Sequence, residues 1–429
     1  MEVRRPRVLM LGWEYPPLFA GGLGKASQGL ARGLAACGVD VLFVLPSHRP
    51  QRESARLEVI GAREWLHATA QSVRRSRPPD SGFRAIAVPA RLFPYQRPTG
   101  TPDLNAIDDI DLLPQLYGAD LGREVAKFAA RVARLAVGLH ADVVHANDWM
   151  TFPAAFAAAA SRQLPVFLHL HSTEYDRSGE AVNPYIAGVE RNACVRATHV
   201  FAVSRYTANV IAQRYGIPPG KITVVYNAPD DDGDAIEQVL VNGPRAPWVV
   251  FLGRLTFQKG PDHFLRAAAR VAAFNGDARF LVCGAGDMSG GLHALARSLG
   301  IADRVDFRGF LRPSAVDRLL ASSRVLVMSS VSEPFGLVAL EALRGGTPVI
   351  LSKQSGVREV LGHSLQVDFW DHEKLADQIL ALLRLPVLGT QLVESGREQL
   401  ARLSWKESAR VMLDTYARVR GLPRPPTLP

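Results

Sequence analysis

The feature that most constrains the fold is a rhythm of strand, loop and helix that runs through the chain twice. In the first half, helical patterns such as Lys25–Cys37 and Tyr206–Tyr215 separate apolar runs of strand length. These runs lie at Val8–Trp13, Val39–Leu45, Val143–His145, Val166–His169, His199–Val203 and Ile222–Tyr226. Alternation of this kind is typical of a parallel sheet whose two faces are covered by helices.

The rhythm stops over residues 227–247, a polar segment containing Gly and Pro, and then resumes. Strands are then expected at Trp248–Leu252, Phe280–Cys283, Val305–Phe307, Val325–Met328 and Val349–Leu351. Helices are expected at Pro261–Phe274, Leu292–Leu299, Pro313–Ala321, Gly336–Arg344 and His372–Leu383. Because 429 residues exceed one ordinary core, we predict two tandem Rossmann-like domains, each a doubly wound α/β sheet, with a ligand cleft between them. The predicted boundaries are 1–228 for the N-terminal domain, 229–245 for a linker, 246–403 for the C-terminal domain and 404–429 for the remainder.

The positive charge of the chain is unevenly distributed. Residues 49–97 hold ten arginines against four acidic residues, which accounts for +6 of the net +9. This region is either a solvated arginine-rich surface or a peripheral contact for something anionic, such as a phosphorylated donor, an acidic glycan or a lipid surface. The chain has no zinc knuckle, basic heptad or aromatic ribonucleoprotein motif, so nucleic acid is not an expected partner.

The cysteines and the apolar segments indicate a cytoplasmic protein. Cys37, Cys194 and Cys283 are odd in number, far apart and without metal-ligand spacing, which fits a reducing compartment. The apolar run at the N-terminus is short and meets Glu14, so it is predicted to be a buried strand and not a signal peptide. The longest uncharged run, "WMTFPAAFAAAAS", is too short to span a bilayer.

Two glutamates stand in "SEPFGLVALEALRGGTPVI", which begins at residue 332. The preceding "RVLVMSS" is a predicted strand, so Glu333 lies in the loop at its carboxyl end. Pro334 disfavours helix at Glu333, and Gly336 can open the helix that carries Glu341. The first amides of that helix form a potential anion site.

Two cations follow another predicted strand of the same domain, in "FLGRLTFQKG". Arg254 and Lys259 are either surface charges or, with a helix N-terminus beside them, a clamp for a diphosphate.

The N-terminal half contains a glycine loop between a strand and a helix, "GWEYPPLFAGGLGKASQGL". It is not a Walker A motif, because Phe19 stands at the first glycine position and Ala26 follows the lysine. It lacks the dinucleotide fingerprint too, because Ser27 replaces the third glycine after Gly22 and Gly24. The loop is therefore either a tight turn or a place where the backbone approaches a ligand closely.

Polar residues follow two further strands, in "HANDWM" and "HLHSTEYDRSG". His145, Asp148, His171 and Glu174 stand at or near the strand ends. A single histidine at such a position is usually packed or hydrogen-bonded, but several polar residues at successive strand ends indicate a site.

The set "GGLG", "HANDW", "GRLTFQKG" and "SEPFGLVALEA" resembles glycosyltransferase family 4, retaining enzymes of the GT-B fold. The first two motifs look most like the glycogen- and starch-synthase-like members, and the resemblance runs over nearly the whole chain. It implies an acceptor-side N-terminal domain and a C-terminal domain that holds a sugar nucleotide. It also implies that the last helix, around "SWKESARVMLDTYARV", crosses back to the first domain.

The same resemblance implies roles for the C-terminal motif. Glu341 would accept hydrogen bonds from the ribose hydroxyls, and Glu333 would lie beside the transferred sugar. The backbone amides of Phe335, Gly336 and Leu337 would hold sugar hydroxyls or phosphate.

The resemblance further implies that Arg254 and Lys259 neutralise the diphosphate leaving group. His171 matches the histidine near the donor sugar, Asp148 matches a polar residue of the acceptor side, and Gly22 with Gly24 brings the glycine loop to the donor. No metal and no other cofactor are implied. The expected reaction is metal-independent, retaining transfer of a hexosyl group, glucosyl in the first place, from ADP- or UDP-glucose to a glycan or another hydroxyl acceptor.

The chain departs from the family pattern at three points, and alternatives follow from them. The segment "HSTEYDRSG" differs from the usual synthase segment after the histidine, and "YNAPDD" replaces the more common Asn-Gly-Val-Asp. Phe19 and Ala20 stand where Lys-x precedes the double glycine of glycogen synthases. A family 4 transferase with a small-molecule, lipid or cell-envelope acceptor is therefore an alternative, as is a non-catalytic glycan-binding relative. A glycoside hydrolase would not need Arg254 and Lys259, and a nicotinamide dehydrogenase would need the fingerprint glycines.

Overall fold

A computed structural model describes residues 6–16, 21–46, 58–60, 83–87, 121–229 and 245–421. Its first sheet has eight strands in the order β3-β4-β2-β1-β5-β6-β7-β8, and all neighbours are parallel. The strands are β1 (Arg7–Leu11), β2 (Asp40–Leu45), β3 (Glu58–Ile60), β4 (Phe83–Ala87), β5 (Val143–Asn147), β6 (Val166–Leu170), β7 (His199–Ala202) and β8 (Ile222–Val224). The helices of this half are α1 (Gly22–Ala36), α2 (Leu121–Val137), α3 (Phe152–Ala160), α4 (Glu174–Ser178), α5 (Pro184–Arg196) and α6 (Arg205–Tyr215).

The second sheet has six parallel strands in the order β11-β10-β9-β12-β13-β14. They are β9 (Trp248–Leu252), β10 (Arg279–Cys283), β11 (Val305–Gly309), β12 (Val325–Met328), β13 (Val349–Ser352) and β14 (Leu365–Val367). The helices are α7 (Pro261–Phe274), α8 (Ser289–Ser298), α9 (Pro313–Ser322), α10 (Leu337–Arg344), α11 (His372–Arg384) and α12 (Pro386–Leu400). The prediction of two doubly wound α/β sheets is confirmed. Because the strand order reverses between β9 and β12, the loops that follow these strands open the crevice in which such sheets bind ligands.

The last helix, α13 (Trp405–Arg420), lies against α1 of the first sheet. The approach is close, since a Cβ atom built on Gly33 would lie 2.3 Å from the Trp405 carbonyl oxygen. Further along, the Tyr416 hydroxyl lies 2.8 Å from Nδ1 of His145 inside β5. The chain thus passes through the second sheet and returns to the first.

Apolar side chains fill both faces of each sheet, as expected for strands buried on two sides. Several predicted features lie outside the described residues: nearly all of the linker, Phe19 and Ala20, and the arginine-rich region 49–97 apart from β3 and β4. Among the described helices, none alone has the length and apolar content to cross a membrane, although the bent pair His372–Arg384 and Pro386–Arg420 meets both criteria together.

Candidate active site

Two loops of the second sheet, after β9 and after β12, are bonded to each other. The Ser329 hydroxyl donates to the Gly260 carbonyl at 2.7 Å, and the Val331 amide donates to the Gln258 carbonyl at 3.0 Å. Gly260 adopts a left-handed conformation (φ 60°), and a Cβ there would lie 2.2 Å from the Ser329 carbonyl oxygen. Only glycine therefore permits this contact, which brings the "GRLTFQKG" and "SEPFG" segments together as one surface.

Glu333 is held rigidly in this surface. Its amide donates to the Gln354 carbonyl at 2.9 Å, and its carbonyl accepts from the Gly356 amide at 2.8 Å. Its carboxylate lies 2.6 Å from Nζ of Lys259, and the side chain is only 7% exposed. The Ser330 hydroxyl donates to the same carboxylate at 3.3 Å. Lys259 therefore compensates the charge of Glu333, because a buried carboxylate needs a partner of opposite charge.

The turn from Glu333 into α10 depends on Gly336, which has φ 112° and ψ 61°. A Cβ on this residue would lie 2.7 Å from the Met328 methyl group. Within the described part of the chain no side chain caps the first amides of α10, so the residues from Leu337 onward present them toward a potential anion. Phe335 is buried, and its carbonyl accepts from the Val357 amide at 2.8 Å.

Glu341 forms an ion pair that the sequence did not predict. Its Oε1 lies 2.5 Å from Nζ of Lys25 on α1, with side-chain exposures of 23% and 26%. The two helices approach near their first turns, since a Cβ built on Gly22 would lie 3.5 Å from a Leu337 methyl group. The helix that follows the glycine loop, α1, and the helix that carries Glu341, α10, thus face each other. The only signal for this contact was the position of Lys25 directly after "GGLG".

Arg254 lies on the same surface, in the loop after β9. Its guanidinium donates to the side-chain oxygen of Gln258 at 3.4 Å. Arg254, Lys259 and the uncapped N-terminus of α10 are therefore brought together at the carboxyl ends of β9 and β12.

Asp148 and His171 lie at the carboxyl ends of β5 and β6 in the first sheet, where they contact each other. The His171 amide donates to Oδ1 of Asp148 at 2.7 Å, and the Ser172 amide donates to it at 3.4 Å. Asp148 has φ 57°, an uncommon left-handed value for a residue other than glycine. Burial raises the pKa of its carboxyl to about 7, and the Arg177 guanidinium partly offsets this.

His171 is neutral at ordinary pH because burial lowers its pKa to about 3. Nε2 lies 3.0 Å from Oδ1 of Asn147, whereas Nδ1 has no hydrogen-bond partner among the described residues. The ring stacks on His169 with centroids 4.5 Å apart. A neutral imidazole with an unused nitrogen can contact a sugar hydroxyl without adding charge to the site.

The other two strand-end candidates have structural contacts. His145 lies within β5 against Tyr416, as described above. Glu174 forms an ion pair with Arg177 at 3.1 Å and accepts from the Ser178 hydroxyl at 2.8 Å, which fixes α4.

The two halves of the molecule meet around the "SEPFG" turn through contacts for which the sequence offered no signal. The Ser204 hydroxyl donates to the Pro334 carbonyl at 2.6 Å, and the Ser332 hydroxyl donates to Asp176 at 2.7 Å. The carboxylate of Glu359 accepts from the first amides of α6, those of Arg205 and Tyr206, both at 2.8 Å. A carboxylate at a helix N-terminus is stabilising, so this pair of bonds holds the second half against the first.

Comparison with known proteins decides the family. Two family models match, Glycosyltransferase Family 4 over residues 106–233 and Glycosyl transferases group 1 over residues 233–399. The D-inositol 3-phosphate glycosyltransferase of Rhodococcus opacus is 30% identical over 326 residues, which are 69% of this chain and 72% of that protein. The chain belongs to glycosyltransferase family 4.

This family 4 transferase is also 28% identical to the glycogen synthase of Mycobacterium tuberculosis, over 99% of this chain and 98% of that protein. Among solved structures, Anabaena HepE in complex with UDP and glucose aligns with a TM-score of 0.64 at 20% identity, over 96% of this chain and 100% of that chain. The predicted family and the GT-B fold are both confirmed.

Proposed function

We propose that this transferase moves a hexosyl group from a nucleotide sugar to a hydroxyl of a glycan, with retention of the anomeric configuration. The hexosyl group that we propose is glucosyl. The observation that carries the proposal is the arrangement of charge at the N-terminus of α10. Two carboxylates, Glu333 and Glu341, each lie against a lysine, and Arg254 lies in the loop that carries Lys259, where it donates to Gln258. Such a site offers acceptors for the hydroxyls of a ribose and a sugar, together with cations for a diphosphate.

The donor is proposed to be ADP- or UDP-glucose. The structural similarity to HepE, which binds UDP and glucose, supports a nucleotide-sugar donor. Glu341 is assigned to the ribose hydroxyls, and Glu333 to the sugar. The uncapped amides from Phe335 to Leu337, together with the glycine loop at Gly22 and Gly24, are assigned to the phosphates and sugar hydroxyls.

The chemistry assigned to the site is stabilisation of the leaving group. Lys259 turns from Glu333 to the diphosphate when the donor binds, and Arg254 adds a second positive charge. Cations aimed at charge that develops in the transition state lower the barrier most effectively in a site shielded from water.

Retention requires attack from the face that the diphosphate leaves. The bond between the anomeric carbon and the phosphate oxygen breaks, and a bond to the acceptor oxygen forms on the same face. The proton of the acceptor hydroxyl passes to the departing phosphate oxygen. Neutral His171 contacts the donor sugar, and Asp148 lies on the acceptor side, where it fixes the His171 backbone.

A second candidate is transfer to a small acceptor, such as an inositol phosphate, or to a lipid or cell-envelope acceptor. It is favoured by the 30% identity to the R. opacus enzyme and by Phe19 and Ala20 at the positions of the synthase Lys-x. A cytoplasmic location fits the three free cysteines, and the arginine-rich region 49–97 is a proposed contact for an anionic surface.

A panel of nucleotide sugars tests the proposal. The protein is expected to be stabilised by ADP- or UDP-glucose in thermal unfolding, because a specific ligand shifts the folding equilibrium by mass action. The stabilising donor is then incubated with glycogen oligosaccharides and with inositol phosphate, and the anomeric configuration of the product is read by proton NMR. Stabilisation without transfer to any acceptor would favour a non-catalytic binder, and an inverted product would contradict the proposed mechanism.

The reaction is further proposed to need no metal. Among the described residues, no group of three or more His, Cys, Asp and Glu side chains could hold an ion. Activity is expected to survive excess EDTA, since protein cations compensate the leaving group. Complete loss of turnover with EDTA and its restoration by Mg²⁺ or Mn²⁺ would contradict this.

A further inference from the structure

Lys25, on α1 of the first half, forms an ion pair with Glu341 on α10 of the second half. Its Nζ lies 2.5 Å from Oε1 of Glu341, at a sequence separation of 316 residues. Both side chains are about three-quarters buried, with exposures of 26% and 23%. The contact thus joins the glycine loop helix to the carboxylate assigned to the donor ribose.

Each of the two glutamates forms an ion pair with a lysine, but the two lysines come from different halves. Lys259 belongs to the same sheet as Glu333, whereas Lys25 reaches Glu341 from α1. A ribose whose hydroxyls bond to Glu341 competes with the ammonium group of Lys25 for the oxygens of this carboxylate. A diphosphate beside the same contact attracts that ammonium group strongly, because charge-assisted hydrogen bonds to phosphate are among the strong ones.

The place assigned to the donor diphosphate lies beside this ion pair. The first turns of α1 and α10 are adjacent, as the 3.5 Å approach of Gly22 to Leu337 shows, and the diphosphate is assigned to the uncapped amides of α10. The lysine side chain is a compact charge on a flexible four-carbon stem, which suits it to move between neighbouring anions.

We propose that Lys25 is a donor-binding residue that passes from Glu341 to the donor diphosphate when the ribose takes Glu341. The inference rests on the proposed function. The proposal also accounts for the absence of the synthase lysine, whose Lys-x is replaced here by Phe19 and Ala20, because Lys25 supplies a cation from α1 instead. Lys25 has two opposite effects: it competes with the ribose, and it attracts the phosphates.

Binding of UDP and uridine, and of ADP and adenosine in parallel, to the Lys25→Met variant separates these effects. Met keeps the length of the side chain and removes its charge. Of UDP and ADP, the one that binds the wild type is expected to bind Lys25→Met roughly 10- to 100-fold more weakly. This is the loss expected when a charge-assisted hydrogen bond is removed. The corresponding nucleoside has no phosphate and is expected to bind as well as before or more tightly, since its competitor for Glu341 is gone.

Two further variants complete the test. Lys25→Arg keeps a cation and is expected to retain diphosphate affinity within a few-fold. Lys127→Met removes a lysine from a matched Lys–Glu pair, 2.6 Å from Glu124 on α2, and is expected to leave both affinities unchanged. Melting temperatures measured without ligand verify that all variants fold.

The outcomes are distinct. Undiminished diphosphate affinity in Lys25→Met, or an equal loss of nucleoside and diphosphate affinity, would overturn the role of Lys25 while leaving the proposed function in place. If the wild type binds no nucleotide of either series, the proposed function fails and the inference fails with it.

Discussion

The two glutamates of the "SEPFG" segment share a motif but differ in surroundings. Glu333 is almost fully buried, its backbone is bonded on both sides, and its carboxylate lies against Lys259. Glu341 lies in the second turn of α10 and is more exposed. A rigid carboxylate next to the transferred sugar can stabilise the transition state. A carboxylate that binds the ribose contributes to the affinity for the donor.

The substitutions Glu333→Gln and Glu341→Gln should therefore separate in kinetics. Glu333→Gln is expected to lower kcat about 100-fold, a typical loss for one preorganised electrostatic group. Glu341→Gln is expected chiefly to raise the KM for the donor, by roughly tenfold or more. Both parameters are measured together with the melting temperature, with Glu373→Gln, in an exposed ion pair, as control. Full kcat in Glu333→Gln would refute the assignment, as would an effect of Glu341→Gln on melting temperature alone.

Three neighbouring buried imidazoles make stability depend on pH. Burial lowers the pKa of His145 and His171 to about 3 and that of His169 well below 6.5. As pH falls below 6.5, the unfolded chain takes up protons that the folded chain does not, so the free energy of unfolding falls toward pH 3. Asp148 acts in the opposite sense, because burial raises its pKa from 3.8 to about 7 and the folded chain keeps its proton longer. Three imidazoles outweigh one carboxyl, so stability should rise with pH over this window.

Replacing one of these imidazoles should flatten that dependence. His169→Phe keeps an aromatic ring in the stack and removes one titrating group. Its free energy of unfolding is expected to fall less steeply between about pH 6 and pH 4, by up to about 1.4 kcal/mol per pH unit. Chemical denaturation across this range measures the slope, with exposed His363→Phe as the surface control. A slope equal to that of the wild type would contradict the effect of burial.

At the scale of elements, the packing of α13 on α1 depends on glycines. A Cβ on Gly29 would lie 2.1 Å from the Trp405 indole, and one on Gly33 would lie 2.3 Å from the Trp405 carbonyl oxygen. The atom that a Cβ on Gly33 would meet belongs to the backbone and cannot turn away as a side chain can. A larger residue at Gly33 must therefore push the two helices apart. This pair of helices connects the end of the chain to the first sheet.

Gly33→Ala should therefore destabilise the protein even though alanine is the better helix former. We expect a loss of about 1–3 kcal/mol in the free energy of unfolding, as for an overpacked core. Gly188→Ala in α5 is the matched control, because no atom lies within 4 Å of its added Cβ. There the helix preference of alanine should leave stability unchanged or raise it by about 0.5–1 kcal/mol. Denaturant unfolding compares the two, and equal effects at both positions would contradict the close packing of α1 on α13.

At the scale of the whole molecule, the architecture could be predicted because buried parallel strands leave a strong sequence pattern. Runs such as Trp248–Leu252 and Val325–Met328 are continuously apolar and have the predicted bounds in the structure. The short strands β3, β4 and β14 were not predicted, since three to five residues carry little periodicity. The helices α2, α3, α5 and α12 were not assigned either, although they help to complete the layers.

The pairing of charges across the molecule could not be predicted. Arg254, Lys259 and the two glutamates were identified from their loops, and the structure places all four on one surface. Which cation meets which carboxylate depends on how the two halves dock, and a contact across 316 residues leaves no periodic signal. The sequence therefore predicted Lys259 as a diphosphate ligand but not its ion pair with Glu333, and it did not predict the contact of Lys25 with Glu341.

The central claim is that Arg254 and Lys259 hold the diphosphate of a nucleotide sugar during transfer. Its most direct test is kcat/KM for the active donor in Arg254→Ala and Lys259→Ala, with Lys127→Ala as the control. Each site variant is expected to lose roughly 10- to 100-fold or more, because each removes a charge-assisted hydrogen bond to the leaving group. Wild-type kcat/KM in both variants, with every donor that the protein uses, would contradict the account.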